Sequence, residues 1–222
     1  MERNVCVIAG GMSKWGVRDG SQRDFFQEAA KACYDDNPLL NPKDIDGLLV
    51  ASAYTERTSY QTHLAPLVAE YVGVKPRSVC ARVELLCASG SSAIILAFAL
   101  IKSGQADVVM VAGGEKLYTP QKWEVFYSEL ASVDHDWDGT QGLGLPPPAF
   151  AMVAKQHMKQ YGTKKEHLAA VSVKNRRNSS KNPKAQFQTP VTMEEVMAGR
   201  MIVAPLTLYD CCPITDGAAA VV

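Results

Sequence analysis

The chain has no excess of charge of either sign: 23 Lys and Arg stand against 23 Asp and Glu in 222 residues. That balance argues against a general nucleic-acid coat, which needs a strongly basic footprint. A hydrophobic content of 47% excludes wholesale disorder. Paired CxxC units are also missing. Cys6, Cys33, Cys80, Cys87, Cys211 and Cys212 are scattered, and no nearby histidines complete a zinc pattern, so a reduced cytosolic protein without a resident metal is expected. No uncharged apolar run reaches the roughly 20 residues that a membrane helix needs. The opening MERNVCVIAGG lacks the apolar core and cleavage site of a secretory signal. Neither Gly10 and Gly11 nor Gly113 and Gly114 has the spacing of a dinucleotide or phosphate-binding loop.

What is present is an alternation of strand and helix signals. VCVIAGG reads as a buried strand leaving through a glycine turn, and Ser21 as the cap of a helix over FFQEAAKACYDD that stops before Pro38. DGLLVASA supplies a second strand and THLAPLVAEYVG a helix. A third strand ends near Leu86, and a helix runs from about Ser91 to Lys102; being apolar nearly all round, it is expected inside the fold. DVVMVAGG follows as another strand. Apolar strands joined by helical crossovers predict an α/β fold with a mainly parallel sheet covered on both faces.

After Glu115 the rhythm breaks. Residues 118–150 hold Trp123, Trp137 and the run Pro146, Pro147, Pro148, and two basic helices follow, separated near Gly162. The expected organisation is a core over 1–117, an inserted subdomain over 118–205, and a return strand within 206–222 that contains DGAAAVV. The overall neutrality hides a local excess: residues 151–200 carry ten basic and three acidic side chains. Lys174, Arg176, Arg177 and Lys181 could hold an anionic ligand or form a solvated basic face.

Cys87 is the candidate nucleophile. It lies in LLCASGSS, directly before the apolar helix, where partial positive charge and unpaired amides favour a thiolate and can also hold an oxyanion. Other polar candidates carry less. His63 lies at a helix start, and His135 sits between Asp134 and Asp136 without a complete ligand set. His157 and His167 fall in basic helices and are expected at the surface.

Four segments in order, VELLCASGSSAI, VMVAGGEK, AKQHMKQYGTKKEHLAAVSVKNRRNSSKNPKAQF and APLTLYDCCPITDGAAAVV, resemble the N-terminal half of a thiolase, closest to SCP2-type and archaeal acetyl-CoA acetyltransferase-like members. The resemblance covers essentially the whole chain. It implies a thiolase-like α/β fold with an inserted loop subdomain, and an acyltransferase that forms or cleaves a carbon–carbon bond beside an acyl-thioester through acyl-Cys87. It also implies acyl-CoA as substrate, the loop-subdomain bases near its phosphates, and no tightly bound cofactor. Glu115 would be architectural, and Cys211 with Cys212 structural. The family's second half normally brings an acid/base cysteine and histidines, and its motifs do not occur here. A partner supplying that half, a thiolase-like dimer or heteromer, and a small OB-fold zinc-ribbon subunit are therefore implied. An acyltransferase acting on a small non-CoA acceptor, or a non-catalytic scaffold, is the alternative.

Overall fold

A computed structural model describes residues 3–120 and 122–222. The chain divides into two compact units, Met1–Pro120 with Thr215–Val222, and Gln121–Ile214.

The first unit is built on a five-stranded sheet. In chain order its elements are β1 (Gly10–Met12), α1 (Gln22–Asp36), β2 (Gly47–Ala51), α2 (Thr55–Thr58), α3 (Leu64–Val72), β3 (Val79–Val83), α4 (Ser89–Lys102), β4 (Val109–Glu115) and, after the second unit, a returning strand, Gly217–Val221. The returning strand lies between β1 and β4, antiparallel to both, whereas β2 runs parallel to β3 and to β4. The sheet is thus mixed, with its parallel half at the β3 edge.

Strand alternation divides the core in two, because successive side chains point to opposite faces. Leu48, Val50, Met110 and Ala112 join Phe25, Phe26 and Ala29 of α1 and Leu64 and Val68 of α3 on one face. Leu49, Ala51, Val109 and Val111 meet Ala93 and Ala97 of α4 on the other. Helix α1 lies so close to β1 that a Cβ on Gly11 would fall among the backbone atoms of Ala29, Ala32 and Cys33. Only glycine allows that approach.

Two expectations change. The strand expected over VCVIAGG is confined to Gly10–Met12, because Gly10 already faces Val221 and the pairing ends with Ile8 and Ala9 donating to the Val222 carbonyl. Helix α4 is not enclosed within this chain. Ser89, Ala93 and Ala97 are buried, while Ile94, Ile95, Leu96 and Phe98 are exposed, Ile95 to 66%. An all-round apolar helix needs cover on all sides, and this sheet offers it one.

The second unit contains α5 (Lys122–Leu130), α6 (Pro146–Tyr161), α7 (Lys165–Ser179), α8 (Met193–Met197) and an antiparallel pair, β5 (Met201–Val203) and β6 (Leu206–Thr207). The three prolines occupy the first turn of α6, where no intrahelical donor is lost. Residues 206 and 207 pair with β5, so the chain re-enters the main sheet only at Gly217; the returning strand is β7 in chain order.

Candidate active site

The carboxyl ends of β2, β3 and β4 lie together, the end of a parallel sheet where open α/β folds place their chemistry. Cys87 leaves from that end. Strand β3 stops at Val83, Glu84 and Leu85 lead outward, and Leu86–Ala88 form one 3-10 turn that runs directly into α4. The thiol is exposed at the start of a 14-residue helix.

The turn is tied at several points. The Ser89 hydroxyl accepts from the Leu85 amide at 2.8 Å and donates to the Leu86 carbonyl at 2.7 Å. The Glu84 carboxylate accepts from the Leu86 amide at 2.7 Å, and the Ala88 amide donates to the Leu85 carbonyl at 2.9 Å. Leu86 has φ +48°, in the left-handed region that a branched side chain occupies only under constraint. Such a conformation costs about 1–3 kcal/mol and persists where the surroundings enforce it. Tyr60 and His63, also at positive φ, follow β2. All three strained residues therefore lie on connections leaving the carboxyl end of the parallel strands.

Glu115 closes β4, one strand away from β3 across β2. One oxygen accepts from the Ser52 hydroxyl at 2.9 Å, from the Ala53 amide and from the Tyr54 amide at 3.4 Å. Burial nevertheless pushes this carboxyl above its ordinary value of 4.5, against the opposing effect of those donors. Arg82 of β3 donates to the carbonyls of Ser52 and Ala53, each at 2.9 Å, and pairs with Glu56. Ser89, Glu84, Arg82 and Ser52 were not singled out from the sequence. Ser89, two residues after the cysteine, carried the only local signal, a small polar residue at a helix start.

The remaining candidates separate from this site. Cys33 is buried and its thiol is pushed up to about 11 by burial and then by Asp36. Burial also raises Cys80, and burial followed by Asp210 and Cys212 raises Cys211. His63 is exposed at the start of α3 and makes no side-chain cap. His157 contacts Thr163 at 2.8 Å and lies 4.7 Å from the Tyr161 ring, closing the end of α6. His167 accepts from the Lys164 amide at 3.3 Å within the α7 cap. Asp134 beside His135 accepts from the Trp137 amide at 2.9 Å, and among the described residues no group of three His, Cys, Asp or Glu side chains is placed to hold a metal. No described residue hydrogen-bonds the Cys87 thiol. Among the bases, Arg176 packs on the Phe187 ring at 3.9 Å and near Tyr209 at 5.8 Å, whereas Lys174, Arg177 and Lys181 are exposed.

With the site described, comparison with known families is decisive. The profile of the family described as "Thiolase, N-terminal domain" matches residues 5–222. The chain belongs to the thiolase family. It is 38% identical over 226 residues to the acetyl-CoA acetyltransferase of Methanothermobacter thermautotrophicus, covering 99% of this chain and 56% of that protein. It is 31% identical over 231 residues to human sterol carrier protein 2, covering 99% of this chain and 41% of that protein. Among solved structures, the Ltp2-ChsH2(DUF35) aldolase superimposes with TM-score 0.78 at 27% identity, over 97% of this chain and 54% of that one. Human mitochondrial 3-ketoacyl-CoA thiolase in complex with CoA shares the fold, with TM-score 0.73 at 18% identity over 97% and 63% of the two chains. The chain spans about half the length of the curated relatives it matches. Among its described residues no helix is long and apolar enough to cross a membrane.

Proposed function

We propose that this chain is the nucleophile-bearing half of a thiolase-type acyltransferase, acting on acyl-thioesters through Cys87. The observation that carries the reading is the exposed thiol on a tied, strained turn at the start of α4, at the carboxyl end of the parallel strands. Cys87 gives up its thiol proton and its sulfur attacks the thioester carbonyl, the bond from that carbon to the coenzyme A sulfur breaks, and the leaving thiolate takes up the proton that Cys87 lost. The acyl group then passes from Cys87 to an acceptor. Amides at the start of α4 support the oxyanion formed in each step. Carbon–carbon bond formation or thiolysis also needs an acid/base pair, which we assign to a completing half or partner chain.

Residues 121–214 then serve as the inserted loop subdomain, with Lys174, Arg177 and Lys181 offered to the phosphates of coenzyme A. The names of the curated relatives favour a CoA thioester, and the two-component name of the aldolase relative favours a heteromeric assembly. The free cysteines fit a reducing, cytoplasmic setting. A second reading is a thiolase-fold scaffold or a transferase to a small non-CoA acceptor; both readings agree with the free Cys87 thiol, and acylation separates the scaffold from the enzyme.

The test is intact-mass analysis, followed by peptide mapping, of the purified native assembly after incubation with acetyl-CoA. An acetyl adduct on Cys87, absent in Cys87→Ala, is expected. Its absence from an assembly shown to contain all its chains would select the scaffold reading.

A further inference from the structure

We infer that Glu115 is a positioning residue for the Cys87 turn, acting across three strands through the Ser52–Tyr54 turn and Arg82. The inference rests on the reading of Cys87 as the reacting thiol.

The connection can be followed atom by atom. Glu115 ends β4 and gathers the Ser52 hydroxyl and the amides of Ala53 and Tyr54 onto one carboxylate oxygen. Arg82 takes the opposite side of the same short turn, donating from Nε to the Ser52 carbonyl and from Nη2 to the Ala53 carbonyl. The Ser52 amide in turn donates to the Val83 carbonyl at 3.4 Å. The end of β2 is thus held between a carboxyl from β4 and a guanidinium from β3. Arg82 and Val83 are the last residues of β3, and four residues beyond Val83 the chain reaches Cys87. Where β3 leaves the sheet sets where the Leu86–Ala88 turn stands.

A second feature shows that a single Glu115 oxygen makes this connection. The other Glu115 oxygen is buried and takes no hydrogen bond from any described residue. The gathering of Ser52, Ala53 and Tyr54 therefore rests on one accepting oxygen, which a glutamine side chain also supplies.

The experiment is limiting alkylation of the folded chain with iodoacetamide, with peptide mapping of Cys87 against exposed Cys6 as the internal reference. This readout needs no acyl transfer, so failure of the proposed function, seen as absence of an acyl adduct, is distinguishable from failure of this inference. In Glu115→Ala the Cys87 to Cys6 ratio is expected to fall about threefold, as the sulfur shifts away from the start of α4, where the helix end favours a thiolate. Glu115→Gln, which keeps the accepting oxygen, is expected to restore the wild-type ratio within about twofold. A ratio unchanged or raised in folded Glu115→Ala would overturn the inference, even if the denaturation midpoint falls. A ratio as low in Glu115→Gln as in Glu115→Ala would also overturn it. If Glu115→Ala does not fold, Glu115→Asp decides by the same ratio, since its shorter side chain withdraws the acceptor from Ala53 and Tyr54.

Discussion

Asp216 illustrates how much one side chain can organise. It is 0% exposed and accepts from the amides of Leu117 at 2.8 Å, Tyr118 at 2.7 Å and Arg18 at 3.2 Å, while Lys116 pairs with it at 2.6 Å. One carboxylate thereby joins the segment after β1, the exit of β4 and the start of β7. Replacing both partners of such a pair with apolar groups can be neutral, but removing one leaves buried charge and amides unmatched. Asp216→Ala is expected to lower stability by about 3–5 kcal/mol in urea denaturation. Glu115 behaves differently with pH. Its folded carboxyl titrates above the ordinary value of 4.5, so the unfolded chain ionises first as pH rises, and stability is lost until the folded carboxyl ionises too. Glu115→Gln removes that titration. Its stability relative to wild type should therefore rise as pH increases from below 4.5 through the shifted value, as followed by denaturant midpoints at successive pH values.

The helices show which local signals survive folding. Ser21 stands at the N-cap of α1 as its sequence implies, but its hydroxyl accepts from no helix amide; its amide and hydroxyl both donate to Asp24, at 2.7 and 2.8 Å, and this carboxyl is held below its ordinary value by the Ser21 amide and then by the hydroxyl. Ser21→Ala keeps the amide bond to Asp24 and loses only the exposed hydroxyl bond, so it should cost less than about 1 kcal/mol, measured by equilibrium unfolding. The segments around Leu64–Val72, Pro146–Tyr161 and Lys165–Ser179 were likewise legible, since glycines at 73 and 162 end the first two. Helix α4 was legible as a helix but not in its environment. Its composition signals burial on every side, and the cover it receives depends on what stands opposite, which lies outside local pattern. The length of β1 failed for a similar reason: a strand exists only where another pairs with it, and VCVIAGG says nothing of the register of Gly217–Val221.

For the molecule as a whole, the basic segment offers the clearest test of ligand binding. Arg176 is engaged by Phe187, so Lys174 and Arg177 are the bases to remove. On the proposed reading, Lys174→Gln with Arg177→Gln should weaken coenzyme A binding by the native assembly roughly tenfold at low salt, less at high salt, as measured by calorimetry. Unchanged affinity would place the basic group outside the site.

By itself, the sequence determined the main strands and helices of the first unit and Cys87 as the candidate nucleophile, because periodicity and a cysteine at a helix start are local properties, and four matching segments in order carried the family; the short helix Thr55–Thr58, helix Lys122–Leu130 and the Met201–Thr207 pair were not legible. Tertiary structure alone decided the antiparallel return of β7, the strained φ of Leu86, the gathering of Ser52, Ala53 and Tyr54 on Glu115, and the packing of Arg176 on Phe187. Each of these joins residues far apart in the chain or imposes a conformation that the residue does not prefer alone, and only the packed fold supplies the opposing contacts that hold them.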